Sequence, residues 1–131
     1  MRRAFLLAAV LSGVCACGAA SAASSSPSGI AGRTLAAPTC PVEMVPPDPT
    51  CAPRAISVTI RISAVGRRAP VEVVHSGSDG RFRVRLPAGS YEVSPQRRAG
   101  SPYPRPPAPF RVRVSRGRFT YSTVYYDTGI R

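Results

Sequence analysis

The sequence predicts an all-β sandwich of about seven short strands. Three observations lead there. Apolar residues recur at every second position from Ile56 to Ile62, short apolar runs are cut by Pro, Gly and Asp at close intervals, and helical periodicity is absent. With 131 residues there is room for one compact unit and none for a multidomain enzyme. Fifteen prolines and 11 glycines stay below the share that marks a disordered chain, while 44% of residues are hydrophobic, so a core is within reach.

Before the first strand lies an export signal. Met1-Arg2-Arg3 is a short positive region, residues 4–14 are apolar, and small residues follow. The apolar stretch falls short of the roughly 20 helical residues that a bilayer core demands. Val14-Cys15-Ala16-Cys17 is similar to a bacterial lipobox, which makes Cys17 the expected lipid acceptor and residues 1–16 the signal. The alternative is ordinary cleavage after Ala20-Ser21-Ala22, which would release a soluble protein. Residues 17–28 are small and polar and are expected to form a flexible tether, leaving residues 29–131 for the sandwich.

The clearest strand places Ile56, Val58, Ile60 and Ile62 on a core, with Ser57, Thr59 and Arg61 facing water. Residues 71–75 and 82–86 flank Gly77-Ser78-Asp79-Gly80 and are expected to pair as a hairpin, Val71 opposite Leu86 and Val73 opposite Val84, both pairs inward. That register also sets Glu72 across from Arg85 on the outer face. Arg116-Gly117 is read as the turn of a second hairpin aligning Val114 with Phe119 and Val112 with Tyr121, leaving Arg111 and Arg113 outward. Between the hairpins, residues 94–109 carry six prolines, so no strand is expected there.

Of the four cysteines, Cys15 and Cys17 belong to the signal and its lipid site, Cys40 and Cys51 remain as an even number in an exported chain, and a structural disulfide closing the loop 40–51 is expected. No Cys-x-x-Cys lies outside the signal and His75 is the only histidine, so no metal site is predicted. Glu43, Asp48, Glu72, Asp79, Glu92 and Asp127 are scattered, and no residue is assigned as catalytic.

The run Asp79-Gly80-Arg81-Phe82-Arg83-Val84-Arg85-Leu86-Pro87-Ala88-Gly89-Ser90-Tyr91-Glu92-Val93 resembles the D-G-x-F-x-V-x-L-P-x-G-x-Y-x-V signature of carboxypeptidase regulatory-like domains. The resemblance implies a prealbumin-like (transthyretin-like) Greek-key β-sandwich. It also implies a structural or adhesive role, since in metallocarboxypeptidases such a domain accompanies the catalytic domain and supplies no active-site residue. The Cys-closed insertion and the proline-rich stretch depart from the basic module.

Charge gives the remaining candidate. Eighteen basic residues, all arginine, against six acids give a formal net charge of +12. Arg81, Arg83 and Arg85 alternate along one expected strand, and Arg111 and Arg113 along another, each set on its sheet's outer surface. Such stripes suit anionic lipid headgroups or acidic wall polymers, but an ordinary solvated face in a lysine-free, composition-biased chain is the preferred explanation. The expectation is therefore a lipid-anchored, exported, monomeric envelope module with no cofactor and no nucleic-acid partner. The competing class is a secreted protein-binding or protease-inhibitor-like domain presenting the Cys40–Cys51 loop or the proline-rich loop.

Overall fold

The computed structural model describes residues 25–131. The expected signal, the Cys17 lipid site and most of the tether lie outside the described residues. Eight strands follow: β1 (Gly29–Ala37), β2 (Arg54–Ala55), β3 (Thr59–Ala64), β4 (Pro70–His75), β5 (Arg81–Arg85), β6 (Gly89–Pro95), β7 (Phe110–Val114) and β8 (Phe119–Asp127). They form two four-stranded sheets packed as a sandwich.

β1 organises the first sheet. The parallel strand β8 runs along one side of it from Gly29↔Phe119 to Ala37↔Asp127. On the other side lie β5, from Gly29↔Arg85 to Arg33↔Arg81, and then the short β2 at Leu35 and Ala36. The second sheet has the order β4-β3-β6-β7, antiparallel throughout.

Alternation decides what each strand gives the core. Ile30 from β1, Phe82 and Val84 from β5 and Val124 and Tyr126 from β8 face Ile60 and Ile62 from β3, Tyr91 and Val93 from β6 and Val112 and Val114 from β7. Tyr126 is fully buried, its hydroxyl donates to the Gln96 carbonyl at 2.8 Å, and burial pushes its pKa up to about 12.

Both expected hairpins are overturned. β4 pairs with β3 and β5 with β1, so residues 76–80 carry the chain from one sheet to the other. Likewise β7 pairs with β6 and β8 with β1. Glu72 and Arg85 consequently sit in different sheets, opposite Ile62 and Gly29. Val71 and Val73 are 47% and 48% exposed, and Val74 is the β4 side chain that packs on the core. Tyr121, expected inward, is 65% exposed, because β8 turns Val124 and Tyr126 inward. The reason is general: period two says which side chains share a face but is silent about which strand lies alongside.

The crossing from β4 to β5 is built from buried polar groups. The Thr34 hydroxyl lies 2.6 Å from the Ile56 carbonyl, 2.8 Å from Ser76 Oγ and 3.1 Å from the Gly80 carbonyl. The Val58 amide donates to Ser76 Oγ at 2.9 Å. Gly80 has φ +76°, and a Cβ there would lie 2.3 Å from the Thr34 carbonyl oxygen, so the turn needs glycine on both counts.

The proline-rich stretch departs from expectation at its start, where a strand reaches into it. β6 continues through Pro95, which pairs with Ile60. The Gln96 amide bonds the Thr59 carbonyl, so the Pro95 nitrogen faces the other side, beyond Val93↔Phe110 where β7 pairing ends. Farther on, Arg105 and Asp127 exchange two backbone hydrogen bonds of 2.7 and 2.9 Å, which fastens the segment to the end of β8.

Candidate functional site

The disulfide Cys40–Cys51 is present, with Cα atoms 5.3 Å apart. It closes the loop between β1 and β2, where the Asp48 side chain caps the 3-10 turn Pro49–Cys51 by accepting from the Thr50 amide at 2.8 Å. That hydrogen bond and the one from the Thr50 hydroxyl hold the Asp48 carboxyl below its ordinary pKa. The loop is almost wholly exposed: Val42, Met44 and Val45 stand in solvent, Val45 at 98%. The chain enters β1 at Gly29 and leaves it for this loop after Ala37, so the loop and the N-terminal segment occupy opposite ends of the strand.

The five candidate arginines divide into two sets. Arg81, Arg83 and Arg85 lie on β5 in the first sheet, whereas Arg111 and Arg113 lie on β7 in the second. All five point outward, so the sets occupy opposite faces of the sandwich. On the second sheet's outer surface Glu92 stands across from Arg111 and Ser90 across from Arg113.

The first sheet's outer surface gains a further arginine. Arg33 of β1 is opposite Arg81 in register and adds a fourth guanidinium. The Arg33 Nε donates to the Asp79 carbonyl at 3.1 Å, and Arg81 Nε lies 3.8 Å from Asp79 Oδ2, so one turn residue positions both arginines. Across β1, the outward residues of β8 are Phe119, Tyr121, Thr123 and Tyr125. Gly29 lies between Arg85 and Phe119, and Ala31 lies between Arg83 and Tyr121. A Cβ at Gly29 would come within 2.9 Å of the Phe119 ring, so its absence lets that ring lie across β1. There the Arg83 guanidinium stacks 3.4 Å from the ring centroid. An open cleft of about 520 Å³ results, lined by Ala31, Gly32, Arg33, Arg81, Phe82, Arg83 and Tyr121.

Arg33 and Phe119 were not among the sequence candidates, and Tyr121 was expected to pack on the sandwich. Arg33 is a single arginine in an alanine- and glycine-rich run, and only the β1–β5 register brings it to Arg81. Among the described residues, Arg61, Arg67, Arg68 and Glu92 line a separate open cleft of about 400 Å³ on the second sheet, while His75 and Asp127 lie apart from both clefts. His75 Nδ1 lies 2.9 Å from the Thr59 hydroxyl at an exposed strand end. Asp127 is held down to about 2, chiefly by its hydrogen bond with Arg131 and by the Gly129 amide. Among the described residues no three His, Cys, Asp or Glu side chains come together as a metal site, and no helix is long and apolar enough to cross a membrane.

The architecture defines the class: an all-β sandwich carrying a basic and aromatic sheet face and a disulfide-closed loop. No family model matches the chain, and no curated protein matches it. Two solved structures are similar in fold. One is the minor pilin GBS52 of the gram-positive pathogen Streptococcus agalactiae, at 13% identity and TM-score 0.59, covering 79% of this chain and 45% of that one. The other is the Bacillus anthracis TIE protein, at 13% identity and TM-score 0.50, covering 79% of this chain and 17% of that one. The chain thus matches less than half the length of either protein, and at this identity the likeness is one of fold.

Proposed function

We propose that this chain is a non-catalytic adhesive module of the bacterial cell envelope, exported and held at a membrane by lipid on Cys17, with a basic surface that contacts anionic envelope polymers. The observation that carries the reading is the outer face of the first sheet. There Arg33, Arg81, Arg83 and Arg85 lie on two adjacent strands, with Asp79 the nearest acid. A surface role also accords with the similar fold of a minor pilin. Membership of the carboxypeptidase regulatory-like family rests on the Asp79–Val93 signature and belongs to the same proposal.

The basic-surface part of the reading is tested by cosedimentation of the Cys17→Ala chain, which lacks the proposed lipid, with purified anionic cell wall and with phosphatidylglycerol vesicles at low and high salt. Arg81→Glu with Arg83→Glu is expected to reduce binding severalfold, most at low salt where exposed charges are least screened. Binding that survives both substitutions removes the reading. In parallel, Cys17→Ala is expected to shift the protein from the membrane fraction to the soluble exported fraction.

A second reading has its own observation. Val42, Met44 and Val45 project from a disulfide-closed loop at the end of β1 away from the N-terminus, and a constrained apolar loop loses little entropy on docking. In this reading the chain is a secreted protein-binding or protease-inhibitor-like domain. Val45→Asp abolishing capture of a purified protein partner, with wall binding intact, would favour it.

A further inference from the structure

The first sheet's outer face is built in rows. One row holds Arg85, Gly29 and Phe119; the next Arg83, Ala31 and Tyr121; the third Arg81, Arg33 and Thr123. Cations thus form one flank with Arg33 adding another on the central strand, Ala31 is the bare floor beside it, and Phe119 and Tyr121 stand on the opposite flank. Neighbouring strands are about 4.8 Å apart, so the backbones carrying Arg83 and Tyr121 stand roughly 10 Å from each other, with only the Ala31 methyl between them.

A merely solvated basic face has no use for the second flank. Tyr121 keeps 65% of its surface in water as the third residue of a nine-residue strand, across Ala31 from guanidiniums already oriented by Phe119 and Asp79. The ligand that uses both flanks has a flat ring with an apolar side and acidic substituents on its edge. Guanidinium forks grip planar or tetrahedral oxyanions in paired hydrogen bonds, and a tyrosine ring offers an apolar surface to a ring laid against it. A single-stranded nucleic acid would stack successive bases on successive aromatics, but here Phe119 is occupied by Arg83, which leaves Tyr121 as the platform at the cleft.

We infer that the cleft between Arg33, Arg81, Arg83 and Tyr121 is a binding site for acidic glycans, one sugar ring resting on Ala31 against Tyr121 with its carboxylate or sulfate held by the arginines. This rests on the polyanion-binding reading above and narrows it to one face and one ligand class. It also leaves Arg111 and Arg113 outside the site.

The test compares two polycarboxylates of matched length, polygalacturonate and poly-L-glutamate, binding the full chain in mild detergent at fixed salt. The expected result is tighter binding of the sugar polymer by roughly fivefold to tenfold. Tyr121→Ala should erase that preference, Arg83→Glu should weaken both polymers, and Arg111→Ala with Arg113→Ala should change neither ratio nor affinity of the sugar polymer by more than about twofold. Equal affinities that Tyr121→Ala leaves untouched overturn the glycan site while the polyanion reading stands. Absence of binding to either polymer overturns both. An oligothymidylate bound more tightly than polygalacturonate also overturns the glycan assignment, in favour of nucleic acid.

Discussion

Thr34 shows how much one side chain determines here. It is fully buried on β1, and its hydroxyl has three oxygen neighbours contributed by the β2–β3 connection and the β4–β5 crossing. A hydroxyl carries one proton, so it donates to one of these oxygens at a time, and Ser76, itself buried, has the Ile56 and Val58 carbonyls within donating reach. Valine matches the shape of threonine but removes the shared hydroxyl, leaving the Gly80 carbonyl only the Thr34 amide and the Ile56 carbonyl only Ser76 Oγ, in a place water does not reach. Thr34→Val is therefore expected to lower unfolding free energy by about 1–3 kcal/mol in urea denaturation, and a loss below roughly 0.5 kcal/mol would show that the network relaxes around the change. The sequence around Thr34 carries no sign of this role, because its partners come from residues 56, 76 and 80.

Among the elements, the disulfide loop is the most separable. Residues 41–50 contribute no buried side chain, so the bridge acts on the loop and on the unfolded chain without adding to the core. With Cys40 and Cys51 separated by 11 positions, Cys40→Ser with Cys51→Ser is expected to cost somewhat less than about 3 kcal/mol by the loop-closure argument. The far-ultraviolet circular dichroism of the native protein should not change. Loss of the β signal in the double variant would mean that the loop guides the pairing of β1 with β2. This bridge was legible from cysteine number and the expected export, since only Cys40 and Cys51 lay beyond the expected signal and its lipid-acceptor cysteine. The strands beside it were not. β1 has glycines and alanines at Gly29, Ala31, Gly32, Ala36 and Ala37, a weak strand pattern, yet it is the centre of its sheet. The small residues that weaken its local signal are those that let Phe119 and Arg83 meet over it.

For the molecule as a whole, the pairing of β1 with β8 is the joint on which the sandwich closes. It links the first described strand to the last along nine registered positions and supplies Val124 and Tyr126 to the core. A chain ending at Arg118 is expected to lose cooperative unfolding and to bind hydrophobic dye, because β1 would expose a complete edge and the core would lack two of its buried side chains. A chain ending at Asp127 should keep a single cooperative transition. A folded chain without β8 would mean that the remaining seven strands form a sufficient core. The same closure explains the candidate site. β5 and β8 share no sequence neighbourhood, and the basic and aromatic flanks face one another only because β1 lies between them.

What the chain's order of residues determined by itself was local. Alternation assigned Ile60, Ile62, Phe82, Val84, Tyr91, Val93, Val112 and Val114 to the interior and Arg81, Arg83, Arg85, Arg111 and Arg113 to the outside, since a pleated strand sends successive side chains to opposite faces whatever its neighbours are. Tertiary structure alone decided the neighbours. Two alternating runs joined by a short turn satisfy their apolar faces equally well side by side or across a core, and only burial against the other strands selects the crossing. That choice put Arg33 and Tyr121 beside Arg83 and sent Arg111 and Arg113 to the far side.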